Sequence, residues 1–307
     1  MRRPRSYVLG AALLVLGLLL GACGSGGDDD ESSAGGGGGT EEKGQVTVGD
    51  DSFAESQIVA EMYAQVLEDA GYDVDRKSTK SREVRLPAME SGEIDVAPEY
   101  LATLVSVLDP KAGRVSTPED ATAALEPLLA DKGLAVLEAS EAVDTNVFVV
   151  TPELAEMYTT ISDLAPDASE LTLGGPAECP TRPYCIPGLK DVYGIEFGEF
   201  KPLEYGPATV AALKQGAVDV ALLFSTDGTI DAQGLVVLED DKDLQAADNI
   251  TPLVNEEAVD AEAIDLLNSV SALLTTEVVT ELNTRVGVDQ EDPEDVARDF
   301  LEQEGLL

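Results

Sequence analysis

Glu90-Ser-Gly-Glu-Ile-Asp-Val-Ala97 and Lys214-Gln-Gly-Ala-Val-Asp-Val-Ala221 are two versions of one pattern. Each is a helix end, a glycine that stops the helix, and a short apolar strand carrying one aspartate. Each strand runs into a polar or aromatic stretch, Pro98-Glu-Tyr-Leu-Ala-Thr103 in the first case and Phe224-Ser-Thr-Asp-Gly228 in the second. Gly-x-apolar-Asp-apolar is a common link from helix to strand, so one copy alone would say little. Two copies, 124 residues apart (216 − 92), predict two similar α/β lobes facing each other.

The flanking sequence keeps the same alternation. Gln45-Val-Thr-Val-Gly49 reads as a strand. Ser52 with Glu55 three residues on has the form of a capping box. The helix after it places Ile58, Met62 and Val66 on one face and ends near Gly71. A polar strand around Val74 and a helix over Ser81–Ser91 follow, then the strand Ile94–Ala97, ended by Pro98. Thr117-Pro118 starts a further helix, in which Pro127 predicts a kink or a break. Leu134–Leu137 and Asn146–Val150 read as strands, and Thr151-Pro152 as a helix start. Near the C-terminus Ile264, Leu267 and Leu274 supply an apolar face, and Asp292-Pro293 opens a last helix with Val296 and Phe300 inward. In α/β sheets ligands sit beyond the carboxyl ends of the strands. That rule points to Asp50–Phe53, Glu99–Thr103, Asp144–Phe148 and Phe224–Asp227. A helix starting near Phe53 would aim free backbone N–H groups into the same cleft.

Composition narrows the chemistry. The 307 residues are 44% hydrophobic, enough for one large domain or two lobes. Asp plus Glu number 60 against 19 Lys plus Arg, a formal charge of −41, which repels nucleic acid. The acidity reads as a solubility or salt-tolerance trait that also steers cations weakly toward the protein. There is no His, hence neither the commonest general base nor the commonest zinc ligand. No nucleophile motif, glycosidase-type carboxylate pair, Walker motif or metal-ligand spacing is present. A binding protein without cofactor or metal is expected, rather than an enzyme.

The N-terminus carries an address. Arg2, Arg3 and Arg5 precede an uncharged apolar run, Val8–Leu20, which is short for a membrane span. It ends in Leu20-Gly-Ala-Cys23, which matches the bacterial lipobox. Residues 1–22 are therefore expected to be a lipoprotein signal peptide and Cys23 the lipidated residue, leaving 307 − 22 = 285 residues on the extracytoplasmic face of the cell membrane. Residues 23–44, with five consecutive glycines at Gly35–Gly39, form a tether expected to be disordered. Outside the cytoplasm Cys179 and Cys185 are expected to form a disulfide.

Several segments, in this order and spacing, carry a resemblance. They are Val48-Gly-Asp-Asp-Ser-Phe-Ala-Glu-Ser56, Ser81-Arg-Glu-Val-Arg-Leu-Pro-Ala-Met-Glu-Ser-Gly-Glu-Ile-Asp95, Pro98-Glu-Tyr100, Arg182-Pro183 with Pro187-Gly-Leu-Lys-Asp-Val-Tyr-Gly194, Thr226-Asp-Gly228 and Val237-Leu-Glu-Asp-Asp-Lys242. From Val46 to the C-terminus the chain resembles the substrate-binding proteins of ABC transporters for glycine betaine, carnitine, choline and related osmoprotectants. The resemblance implies a two-lobed type II periplasmic-binding-protein fold with a ligand cleft between the lobes. Lobe one would be residues 45–142 and 236–307, lobe two residues 143–235, with crossings near 140–146 and 226–240. It also implies a receptor that hands its solute to a permease and an ATPase carried on separate chains. A binding-only sensor or scaffold of the same fold, and a receptor for an unrelated solute, are the alternatives. No exposed apolar stripe demands a partner, so a monomer is expected.

The family's chemistry is an aromatic cage, since a quaternary ammonium donates no hydrogen bonds and is held by ring faces. By resemblance Tyr100 is a cage tyrosine, Thr103 and Arg182 are donors to a ligand carboxylate, and Asp144 is a cleft aspartate. Asp51 and Ser52 lie in the loop that resembles the family's Gly-Ser-Lys-x-Phe start, with Asp51 at the lysine position, where it would repel a carboxylate and tilt the site toward a cation such as choline. Asn146 and Ala247 stand where the family has tyrosines, and Phe224 replaces a third while keeping a π face. Tyr205 and Tyr184 are the candidates to compensate.

Overall fold

The computed structural model describes residues 43–112, 115, 117–246 and 248–307. The expected signal segment, Cys23, the tether up to residue 42 and Ala247 lie outside the described residues. The first sheet begins with β1 (Gln45–Asp51), β2 (Asp73–Thr79) and β3 (Val96–Tyr100), connected by α1 (Ala54–Asp69) and α2 (Arg82–Glu90). β1 pairs in parallel with both β2 and β3. Then come α3 (Leu101–Leu108), α4 (Pro118–Ala130) and β4 (Leu134–Val136). The second sheet takes β5 (Asn146–Val150), β6 (Thr172–Gly175), β7 (Glu199–Pro202), β8 (Val220–Phe224) and β9 (Val236–Val237). Around it lie α5 (Pro152–Ala155), α6 (Ile186–Gly188), α7 (Pro207–Lys214) and α8 (Thr229–Ala232). The chain closes with β10 (Ile250–Asn255), α9 (Ala261–Ser271), α10 (Thr276–Gly287) and α11 (Pro293–Glu304).

The two sheets have one design. Their strand orders are β2-β1-β3-β10-β4 and β7-β6-β8-β5-β9. In each, three parallel strands are followed by an antiparallel strand next to a crossing between the sheets, β10 where the chain returns to the first and β5 where it enters the second. The duplicated sequence pattern lies at the centre of both. Gly92 and Gly216 end α2 and α7 with φ of 72° and 67°, the left-handed region that glycine enters without steric cost. The aspartate of each copy then ties its strand to the neighbouring one. Asp95 accepts from the Thr47 N–H at 2.8 Å while its own N–H donates to the Thr47 carbonyl at 2.8 Å. Asp219 makes the same pair of bonds with Thr172, at 2.8 and 2.9 Å.

Both sheets are covered on both faces, as their parallel strands require. In the first lobe α1 is wedged between the sheet and the C-terminal helices. Its Ile58, Met62, Tyr63 and Leu67 join Val46, Val48, Leu267, Val296 and Leu301 in one core. The opposite face is packed by Ile94, Leu101, Leu104, Leu125 and Leu253. The second lobe has its own pair of cores, one around Phe148, Leu173, Val220 and Leu222, the other around Val149, Leu213 and Leu223. No single described helix is long and apolar enough to cross a membrane.

Four expectations are corrected. The sequence places the return to lobe one at residue 236, but β9 pairs with β5 and Leu238 and Leu244 pack into the second lobe's core, so the first sheet resumes only at Ile250. Pro98 does not end a strand: it lies inside β3, opposite Pro252 of β10. Pro127 does not break α4, which runs from Pro118 to Ala130. Ser52 does not cap α1. The capping position belongs to Phe53, the Ser52 hydroxyl donates to the Thr79 carbonyl at 2.6 Å, and Glu55 turns inward.

Candidate ligand-binding site

A cleft of about 500 Å³ opens at the carboxyl ends of the strands, lined from both sheets. All eight residues singled out as ligand contacts line it: Asp51, Ser52, Tyr100, Thr103, Asp144, Asn146, Arg182 and Phe224. Among those expected to compensate, Tyr205 and Tyr184 do so too. Phe53, which sequence reasoning placed in the cleft loop without giving it a role, is a further lining residue.

The aromatic side chains converge because each sits at a strand end or beside one. Tyr100 is the last residue of β3, Phe224 the last of β8, Phe53 precedes α1, and Tyr205 precedes α7. Phe53 lies 6.4 Å from Tyr100, 6.1 Å from Tyr205 and 5.2 Å from Phe224, centroid to centroid. Phe224 is nearly parallel to Tyr100 at 6.5 Å and stacks on Tyr205 at 4.3 Å. Four rings thus form one group, with the Arg82 guanidinium 6.0 Å from the Tyr100 centroid. Asn146 opens β5 and pairs with Phe224 across the ladder, which sets it beside this group.

The charges beneath are mostly matched. Arg82 grips Glu99 with Nε at 2.8 and 3.0 Å and Nη2 at 2.5 Å. Fully buried Arg85 reaches Asp51 at 3.2 and 3.3 Å and Glu99 at 3.1 Å. Burial alone would raise the Glu99 carboxyl, but the two guanidiniums overcome it and hold it down at about 2. The Asp51 carboxylate also accepts from Thr79 at 2.9 Å. Asp51 is therefore not the bare repelling charge its place in the sequence suggests, because Arg85 neutralises it from below. Thr103 gives both its N–H, at 2.9 Å, and its hydroxyl to Asp248, a cleft residue the sequence did not single out. Burial raises the Asp248 carboxyl to about 6.

A second cluster sits where the chain crosses between sheets. The crossing segments run antiparallel, with Val143 bridging Asn249 and the Asp144 N–H donating to the Asp248 carbonyl at 3.0 Å. Asp144 is 2% exposed, and one carboxylate oxygen accepts from the Ser225 hydroxyl at 3.1 Å and the Thr226 N–H at 3.3 Å. No described residue donates to its other oxygen. Next to it Glu55 accepts from the Tyr100 hydroxyl at 2.6 Å, the Thr226 hydroxyl at 2.5 Å and the Asn283 amide at 2.9 Å. Burial pushes both carboxyls above their ordinary range, and the charge of Glu55 pushes Asp144 further.

At the cleft mouth Arg182 rides on the loop closed by the Cys179–Cys185 disulfide, whose Cα atoms are 5.3 Å apart. Its Nη2 reaches Glu83 of α2 at 2.7 Å, an ion pair that joins the two lobes. Glu55, Arg82, Glu83 and Asp248 are residues in and around the cleft to which sequence reasoning assigned no role. The signal at Glu55 was hidden by a capping motif, and the others depend on pairings distant in sequence.

A family described as the substrate-binding domain of the ABC-type glycine betaine transport system matches residues 44–303. The chain belongs to that family. It is the extracytoplasmic, solute-binding component of an ABC importer, working with permease subunits and performing no catalysis. Relatives of this binding domain include a glycine-betaine-binding protein of Pseudomonas aeruginosa, 27% identical over 85% of this chain and 88% of the relative. Another is the carnitine transport binding protein OpuCC of Listeria monocytogenes, 29% identical over 85% of this chain and 87% of the relative. A crystal structure described as a glycine betaine/carnitine/choline ABC transporter superposes with a TM-score of 0.66 at 26% identity, covering 85% of this chain and 99% of that one.

Proposed function

We propose that this binding protein captures a quaternary ammonium osmoprotectant in the cleft between its two sheets and delivers it to the importer's permease. In this reading a diacylglyceryl thioether on Cys23, exposed after removal of residues 1–22, holds a monomer to the outer face of the membrane through the glycine-rich tether. The convergence of Phe53, Tyr100, Tyr205 and Phe224 from both lobes on one cleft carries the reading. Ring faces attract a cation that can donate no hydrogen bond, and desolvation in a cleft strengthens that attraction to about 2 kcal/mol per ring. Asp144 supplies negative charge beside the rings once a bound cation draws off its proton, and Asn146, Ser52 and Thr103 supply polar edges. Asp51 contributes by holding Arg85, and Arg182 by reaching across the mouth. Two names among the relatives, for glycine betaine and carnitine, support the same class of solute.

Isothermal calorimetry of the full-length protein in mild detergent against glycine betaine, choline, carnitine and proline betaine is the test. Micromolar binding of at least one is expected, weakened tenfold or more (about 1.4 kcal/mol) by Tyr100→Ala. No heat with any of the four removes the quaternary-ammonium assignment and leaves the fold and family untouched.

A further inference from the structure

The cleft's charges do not balance. Five carboxylates and three cationic side chains line it. Two of the three cations are already occupied. Arg82 is held by Glu99, and Arg182 by Glu83. The third, Lys80, is exposed at the rim, where water screens it. On the acid side, Asp144 is buried, lines the cleft and keeps one carboxylate oxygen that no described residue donates to. In the ligand-free protein burial and the charge of Glu55 favour its protonated form, and a cation seated beside it favours the carboxylate. A solute carboxylate, by contrast, finds no buried guanidinium among the described residues that is not already paired. To reach Arg182 it must displace Glu83, which has the advantage of being part of the same molecule.

We infer that this cleft selects a small ammonium cation without a carboxylate of its own, with Asp144 as its counter-charge and Glu83 as an internal competitor that closes Arg182 to zwitterions. The inference rests on the quaternary-ammonium reading above and adds a sign to it. It departs from the reading of Asp51 as the source of cation preference, since Arg85 cancels that charge. Selection arises at two places: attraction at Asp144, deep beside the rings, and exclusion at the mouth, where α2 meets the disulfide loop.

Choline and glycine betaine share the trimethylammonium head and differ in a hydroxyl against a carboxylate, so the pair isolates the inference. The full-length protein, its Glu83→Gln variant and its Asp144→Asn variant are titrated with each by calorimetry, with circular dichroism to check folding. The expected result is at least tenfold tighter binding of choline by the unaltered protein. Glu83→Gln narrows that ratio at least fivefold by freeing Arg182 for the betaine carboxylate, and Asp144→Asn weakens choline at least tenfold. Betaine binding as tightly as choline, with Tyr100→Ala abolishing both, overturns the inference while the receptor reading stands. An unchanged ratio in Glu83→Gln overturns it as well, and that arm decides if Asp144→Asn fails to fold. Absence of binding by both solutes overturns the reading and the inference together.

Discussion

Glu55 shows how a local motif can conceal a distant role. Four residues, Ser-Phe-Ala-Glu, spell a helix cap, yet the side chain is 3% exposed and ties Tyr100, Thr226 and Asn283 together from three different parts of the chain. The groups around the Glu55–Asp144 pair are Tyr100 at the end of β3, Ser225, Thr226 and Asp227 after β8, and Asn283 of α10, with Arg82 acting on Tyr100 from α2. None of them is a cation bonded to either carboxylate. Both carboxyls are raised, so the folded protein keeps protons that the unfolded chain releases near pH 4. Stability must then fall as pH rises from about 4 toward the folded values. Asp50 and Asp248, each raised to about 6, act in the same direction. The ligand-free protein is expected to melt at a lower temperature at pH 8 than at pH 5. Glu55→Gln imitates the protonated acid and should reduce that difference by raising the melting temperature at pH 8. A variant that loses the same number of degrees at both pH values would show that the ionised form carries no penalty.

At the scale of elements, the repeat around Asp95 and Asp219 was readable because its parts are adjacent in sequence: a glycine at positive φ, an apolar strand, and an aspartate whose partner is the backbone of the next strand. Asp95→Ala or Asp219→Ala leaves a partly buried N–H without its acceptor and should cost about 1–3 kcal/mol in urea unfolding. Asn at either position keeps a carbonyl oxygen and should cost less. Equal losses for Ala and Asn would mean that the hydrogen bond is not what the aspartate supplies. The same locality made β5 legible to the residue. It failed at β9, where Val236–Val237 says nothing about which sheet it joins, and that choice is made by the pairing with β5 and by the packing of Leu238 and Leu244. Pro98 was misread for a related reason. A proline ends a strand only where its missing N–H is needed, and here it faces another proline, Pro252. The site divides along the same line. Residues at strand ends were located from the topology rule, whereas the pairings of Arg82 with Glu99, Arg85 with Asp51 and Arg182 with Glu83 needed three dimensions.

For the whole molecule the acidic excess is the dominant electrostatic fact. With 60 acids against 19 bases, 41 negative charges have no formal counterpart, so repulsion over the surface opposes the compact state. Salt acts on two opposed quantities. It screens that repulsion, which stabilises the fold, and it weakens exposed ion pairs such as Lys190–Glu196 and Arg298–Glu294, which contribute little in water. The buried Arg82–Glu99–Arg85–Asp51 group is shielded from ions and is hardly affected. Because at most 19 acids can be neutralised by bases, the screened repulsion outweighs the weakened pairs, and added salt should stabilise. Thermal melting at pH 7 is therefore expected to shift upward between 10 mM and 1 M sodium chloride, most of it by the point where the screening length has fallen to about 10 Å near 0.1 M. A flat or falling melting temperature would mean that the acids are spaced widely enough not to repel, and the acidity would then have to be explained by solubility alone. An upward shift ties the acidity to stability in saline surroundings.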